Sequence, residues 1–261
     1  MQPAGRWHDG DVAVVRHAGV RALSASRSTR RLTVRHSLRP GDLSDRLAVR
    51  IVDELRLDRA ADFERVMVGL VRSTVADPVS AWATFYRNSL DELLSGTAPF
   101  APVHARAESL VAGSAVLDIG SCFGFLALRL ARAGFRVTAS DICASTMALL
   151  TRIAPELGCP LETLACDAAA VPLPDNSVDT VTAIHLLEHV DATSGAAIVR
   201  EAVRVARRRV VIAVPFETEP TTCHGHVRTF DLAALYALGE WIGLPYRVGE
   251  HHGGWLVIDV P

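Results

Sequence analysis

The sequence predicts an α/β fold: a mostly parallel seven-stranded sheet with an antiparallel last strand, covered by helices and preceded by a mainly helical N-terminal cap. Three observations predict it. From Ala115 onward, short and almost wholly apolar runs alternate with stretches of helical periodicity, the pattern of strands buried on both faces. The loop after the first run carries two glycines just ahead of a helix, as where a doubly wound sheet turns from strand to helix. The last two runs are separated by the short turn His252-Gly253, which can join antiparallel strands only. The chain has 261 residues, 49% of them hydrophobic, enough to bury a substantial core. We divide it into a strand-and-helix cap over 1–110 and a main domain over 111–261.

The elements follow in order. Residues 1–39 carry eight Arg against two Asp. Within them, Asp11–Val20 alternates like a short strand, and Arg27–Arg39 reads as a basic strand-and-loop segment. That segment reads first as a solvated face, with an anion or polymer contact as the alternative. From Asp42 to about Leu94 the pattern is helical: Val49, Val52, Leu55 and Leu57, then Phe63, Val66, Met67 and Leu70. Asp77-Pro78 opens a further helix, with Trp82, Phe85, Tyr86, Leu90 and Leu93 on one face and Gly96 at its end. Its aromatics read as packing, with stacking on a sugar ring or a cofactor as the alternative. The main domain then runs strand 115–120, helix 124–134, strand 135–141, helix 145–157, strand 161–167, strand 177–185, helix 195–208, strand 209–216, helix 231–243 and the strand pair 246–251 and 254–260. Arg207–Arg209 falls at a helix end, where positive charge complements the dipole.

Composition excludes several chemistries. The 27 basic residues are all Arg. With no Lys there is no Walker-A phosphate lysine, no Schiff-base lysine and no Tyr/Lys dehydrogenase pair. A net charge of −2 does not predict broad capture of nucleic acid. Five Cys (122, 143, 159, 166, 223) form no C-x-x-C, which predicts reduced thiols in a cytoplasmic protein. The amino terminus lacks a signal-peptide pattern, and the apolar runs are far short of a membrane span, so no membrane partner is expected.

The chemistry gathers at strand ends. In LDIGSCFGF (117–125), Gly120 and Gly124 let the backbone approach a nucleotide-like ligand, and the helix start offers N–H groups. Asp141 ends the second strand, 21 residues after Gly120, where a carboxylate accepts from both ribose hydroxyls. Asp167 ends the third, where it can receive an adenine N–H. A dinucleotide and S-adenosylmethionine both suit this geometry, but G-S-C-F-G is not the dinucleotide fingerprint G-x-G-x-x-G.

The run VLDIGSCFG, VTASD, CDAAAVPLPDNSVDTV, LLEHV and VVIAVP resembles class I S-adenosylmethionine-dependent methyltransferases over roughly residues 110–261. The resemblance implies their Rossmann-like fold and S-adenosylmethionine as cofactor. It places cofactor contacts on Asp118, Gly120, Ser121, Cys122 and Gly124, then Asp141 and Ile142, then Asp167 and Ala168, with His185 at the end of the fourth strand. Cys122 departs from the family, which usually has glycine there.

AIHLLEHV (183–190) follows the fourth strand. If it is helical, His185, Glu188 and His189 lie on one face. The loop after the fifth strand adds His224 and His226. In one reading His189 or His226 is the general base for an acceptor hydroxyl, with Glu188 fixing the imidazole. In a second, His185, Glu188, His189 and His226 bind a divalent metal, similar to the E-x-x-E-H plus distal His of small-RNA and ubiquinone-pathway O-methyltransferases, with His185 in place of the first Glu. In a third, Glu188-His189 is a local pair only. We commit to no metal at this point. His251-His252, near the last turn, reads as structural.

Over nearly its whole length the chain resembles the actinobacterial mycofactocin oligosaccharide methyltransferases, in WHDGDVAVVRHAGV, FYRNSLDELL, LDIGSCFGFLALRLA, VTASDICASTM, VDTVTAIHLLEHV, GHVRTFDLAAL and HHGGWLVIDVP. That implies O-methylation of a glucose hydroxyl on an oligosaccharide, with residues 1–110 selecting the acceptor. RNA ribose, a small phenol or quinone, and a non-catalytic cofactor-binding domain are the alternatives. A phenol asks for a more aromatic pocket than a chain with 6% aromatic residues readily provides.

Overall fold

The computed structural model describes residues 5–17, 19, 22–28, 31–57, 59–221 and 224–261. Ala18 and Val20 of the expected first strand, Arg30 of the basic segment, and Cys223 lie outside the described residues. The chain divides into two compact units, Met1–Pro99 with Thr222–Gly225, and Phe100–Thr221 with His226–Pro261.

The N-terminal unit holds more sheet than the sequence predicts. Strands β1 (Arg6–Asp9), β2 (Val12–Arg16), β3 (Ser24–Ser28) and β4 (Arg31–His36) order as β1-β2-β4-β3. The β2–β4 pair is parallel and the other pairs are antiparallel. Alternation buries Val12, Val14, Leu32, Val34 and His36 on one face. Helices α1 (Arg46–Leu55), α2 (Ala60–Thr74) and α3 (Pro78–Leu94) follow. The buried stripe of α1 is Leu47, Ile51 and Leu55, one turn apart, whereas Val49 is exposed and Leu57 lies beyond the helix. Helix α3 starts on Asp77, whose carboxylate accepts from Ser80 N at 2.8 Å, and on Pro78 in the first turn. Phe85 and Tyr86 are fully buried and meet edge to face, as do Trp82 and Phe85, which supports packing. Arg27 of the basic segment pairs with the fully buried Asp62 at 2.6 Å, and Arg65 joins Asp62 to Asp11.

The C-terminal unit is the expected sheet. Strands β5 (Ala115–Ile119), β6 (Arg136–Asp141), β7 (Glu162–Ala165), β8 (Val178–Ile184), β9 (Ala206–Val214), β10 (Tyr246–Glu250) and β11 (Gly254–Asp259) order as β10-β11-β9-β8-β5-β6-β7. All pairs are parallel except those made by β11. Every side chain of β5 is buried, and β8 and β9 are buried over most of their length. Helices α4 (Ala101–Ser109), α5 (Phe125–Arg132), α6 (Ala144–Ile153), α7 (Ala192–Val205) and α8 (Leu232–Ile242) complete the unit.

Two expectations shift. The division falls between Pro99 and Phe100, so α4 goes with the sheet. Glu108 of α4 accepts from Arg129 of α5 at 2.6 Å, and Arg209 reaches Leu110 O just past α4. Arg207–Arg209 do not end a helix. Helix α7 stops at Val205 and β9 begins at Ala206. The arginines are satisfied as strand residues: Arg209 pairs with Asp259 of β11, and Arg207 and Arg208 flank Asp179.

Candidate cofactor and acceptor site

The carboxyl ends of β5, β6 and β7 carry the expected acids. After β5, Gly120, Cys122 and Gly124 all adopt the left-handed conformation, with φ of 65°, 50° and 75°. At Gly120 a Cβ would stand 2.5 Å from Leu186 Cδ1, and at Gly124 one would overlap Leu150, so a side chain at either position would strain the backbone and displace a leucine. Cys122 holds this conformation as a non-glycine residue. Ser121 N donates to Ser140 O at 2.9 Å, and Gly124 N to Ser121 O at 2.7 Å.

Asp141 ties two loops together. Its Oδ2 accepts from Cys122 N and its Oδ1 from Cys143 N, each at 2.9 Å. Next to it Ile142 leaves its side chain 79% exposed, an unusual placement for isoleucine. Asp167, exposed beyond β7, accepts from Ala169 N at 2.8 Å, with Ala168 half-buried between them. Asp118 is buried in β5 and accepts from Thr182 Oγ1 at 2.7 Å. Burial pushes its carboxyl up to about 7, with the nearby Asp141 charge adding to the rise and the Thr182 hydrogen bond opposing it. The Cys143 thiol is held below its ordinary range by hydrogen bonds involving Ser145 and Thr146.

The segment after β8 is not a helix. His185 turns left-handed at φ 55°, a single short turn spans Leu187–His189, and the helix waits for Asp191, which caps α7 through Thr193 N and Ser194 N. His185 therefore parts from His189. Its ring meets Phe100 edge-on at 5.3 Å, and its Nδ1 stands 3.3 Å from Glu188 Oε1. Behind Phe100, His104 is held neutral, down to about 3, by burial and then by the charges of Arg129 and His185.

The loop after β9 is stitched to this turn. Val227 N donates to Glu188 O at 2.8 Å, and Arg228 Nε to Leu187 O at 3.0 Å, with Arg228 lying over Phe230. This brings the His226 ring edge-on to His189, with centroids 4.8 Å apart. Ligand atoms of Glu188, His189 and His226 all lie within 4.8 Å of one another.

Among the described residues Glu188 makes no hydrogen bond to an imidazole, although its Oε1 stands 3.3 Å from His185 Nδ1. It is fully buried, and neither oxygen has a hydrogen-bond partner. The carboxylate that orients one is Glu217, whose Oε2 stands 2.7 Å from His226 Nδ1 while its Oε1 accepts from Thr221. Burial pushes Glu217 up, but the hydrogen bonds from Thr221 and His226 outweigh it and hold the carboxyl below its ordinary range. Sequence reasoning missed Glu217, Phe100 and Thr182. The acid-rich P-F-E-T-E ahead of two histidines was the available signal for Glu217. His224 belongs to the N-terminal unit, where it meets Phe63 edge-on at 5.6 Å. His251 uses its backbone carbonyl to accept from the Trp255 indole at 2.8 Å.

Comparisons agree with this architecture. Residues 117–214 match the family model described as a methyltransferase domain. No curated protein matches the sequence significantly. Among solved structures the chain is similar to an S-adenosylmethionine-dependent methyltransferase from Aquifex aeolicus, with a TM-score of 0.50 and 19% identity over 66% of this chain and 97% of that one. It is similar to a Pyrococcus horikoshii protein, with a TM-score of 0.51 and 14% identity over 62% and 89%. It is also similar to an S-adenosylmethionine-dependent methyltransferase from Methanosarcina mazei, with a TM-score of 0.50 and 18% identity over 59% and 96%. At these identities the structures speak for the fold. Among the described residues no helix is long and apolar enough to cross a membrane. Residues 117–214 thus carry a match to a methyltransferase domain, set on a Rossmann-like sheet shared with these solved structures.

Proposed function

We propose that the protein moves a methyl group from S-adenosylmethionine to a sugar hydroxyl in the cytoplasm, the acceptor being a glucose of the mycofactocin oligosaccharide chain. The observation that carries an oxygen acceptor is the gathering of Glu188, His189 and His226 at the same sheet edge as the acid-tipped strands. An alcohol is a weak nucleophile until its proton is drawn away, and imidazoles titrate in the range to do it. The contact with Glu217 favours the proton on His226 Nδ1 and the lone pair on Nε2, the form that accepts a proton or binds a cation. The glucose identity rests on the sequence resemblance.

The residues fit the cofactor chemically. Asp141 suits the ribose diol, exposed Ile142 a purine face, and Asp167 with Ala168 the adenine edge. Gly120, Ser121, Cys122 and Gly124 would hold the methionine end, with Asp118 supplying a counter-charge and His185 a further polar contact. The acceptor oxygen attacks the methyl carbon in line. The O–C bond forms as the hydroxyl proton passes to the His189 or His226 imidazole and the C–S bond breaks; the C–S electron pair stays on sulfur, and S-adenosylhomocysteine leaves. Alignment supplies most of the acceleration. Acceptor choice is assigned to residues 1–110, which lie outside the matched domain.

The test incubates the full chain with S-adenosylmethionine and β-1,4-glucan oligosaccharides, a phenol or an RNA, and reads added methyl groups by mass spectrometry. Methylation of the glucan alone is expected. Binding of S-adenosylhomocysteine with methylation only of the phenol or RNA refutes the sugar reading. His189→Ala should cut turnover by about 100-fold or more with S-adenosylhomocysteine affinity nearly unchanged. A large loss of that affinity refutes the division of roles.

A further inference from the structure

The group after β8 holds an electrostatic anomaly. Glu188 is fully buried and both its oxygens lack a hydrogen-bond partner, an arrangement that is costly unless a cation compensates it. No Lys exists in the chain; the Arg228 charge acts on Glu188 from a distance, but among the described residues its hydrogen bond to this turn goes to Leu187 O and not to the carboxylate. The groups nearest the carboxylate oxygens among the described residues are imidazoles. His185 Nδ1 stands 3.3 Å from Oε1, and His189 and His226 place nitrogens within 4.8 Å.

We propose that Glu188, His189 and His226 bind one divalent transition-metal ion. Two imidazoles and one carboxylate are a mixed nitrogen and oxygen donor set, suited to zinc, cobalt, manganese or iron rather than to calcium or magnesium. Ligand atoms around such an ion stand about 3–3.5 Å apart, so the three groups, all within 4.8 Å of one another, need only a small adjustment to close on it, and exposed His189 has room to make one. The site is braced in advance. Glu217 holds His226 Nδ1 at 2.7 Å, the carboxylate–histidine pairing that orients a metal-ligating imidazole. The Val227 N to Glu188 O bond fixes the spacing of the two segments. Three protein ligands leave positions for a substrate oxygen, and an ion there lowers the pKa of a hydroxyl bound to it. The inference deepens the acceptor-activation reading, but the binding itself does not depend on it.

The test uses chelator-treated full-length protein titrated with Co²⁺, followed by visible absorption, and with Zn²⁺, followed by calorimetry, with S-adenosylhomocysteine titrated in parallel. The expected result is saturation at about one equivalent with micromolar or tighter affinity. Glu188→Gln and His226→Gln each weaken it about 100-fold, and Glu217→Gln about 10-fold, with far-ultraviolet circular dichroism confirming that each variant folds. Absence of a saturable equivalent in the unmutated protein overturns the proposal and leaves Glu188 paired with His185 alone. Binding that survives unchanged in whichever of the Glu188 and His226 variants folds overturns it as well. Loss of S-adenosylhomocysteine binding with metal binding intact refutes the methyltransferase reading instead, so the two failures are distinguishable.

Discussion

Replacing Asp118 by Asn should stabilise the protein, and by an amount that depends on pH. The carboxyl ionises near 3.8 in the unfolded chain and near 7 in the folded one, because it is buried. Between those values the folded state holds a proton that the unfolded state has released, so stability falls as pH rises. The full contribution is present below about pH 4 and is lost as pH passes about 7. A shift of about 3 units corresponds to about 4 kcal/mol. Asn keeps the shape and can still accept from Thr182 Oγ1, which donates at 2.7 Å, but it has no charge to bury. For a unit of this size 1 kcal/mol moves the melting temperature by about 2–4 °C. The gap between variant and unmutated protein should therefore grow from little near pH 4 to about 8 °C or more near pH 8. Thermal melts of both proteins across that range, without cofactor, are the assay. A gap that does not change with pH, or a variant less stable near pH 8, refutes the reasoning. The same change should weaken S-adenosylhomocysteine, since the cofactor's ammonium loses its counter-charge.

Gly69 lies in α2 where a Cβ would come 2.7 Å from Trp7 and overlap Val14, so Gly69→Ala should cost about 1–3 kcal/mol in urea unfolding despite better helix propensity; a neutral result would show that α2 can move off the sheet. Asp141→Ala should weaken S-adenosylhomocysteine about 10–100-fold by calorimetry, and unchanged affinity removes Asp141 from the ribose. Cys122→Gly relieves a left-handed φ of 50° at the cost of a freer unfolded chain, so melting should stay level or rise by about 2 °C; a clear drop would show that the thiol packs.

The seven-stranded sheet was legible because β5, β8 and β9 are buried on both faces over most of their length and their apolar residues form short runs. The N-terminal sheet was not. β3 reads Ser-Ala-Ser-Arg-Ser and is exposed throughout, which no hydrophobic pattern can report, and β2 pairs directly and in parallel with β4, while β3, between them in sequence, takes the edge. Strand-end logic located Asp141 and Asp167. It did not foresee that His185 and His189 part company, because a left-handed residue at a strand end is a tertiary outcome. Nor could spacing single out Glu217 over Glu219, since the choice depends on how the loop after β9 folds back onto the turn at Leu187–His189.

Asp141 grips Cys122 N with one oxygen and Cys143 N with the other, and both thiols are exposed. Any ligand that takes over this carboxylate disturbs two cysteines at once. Their alkylation rates are thus a built-in reporter of occupancy. Cys143, whose thiol is held below its ordinary range, should label fast in the empty protein and slowly when S-adenosylhomocysteine is present, with no dye or engineered tag required.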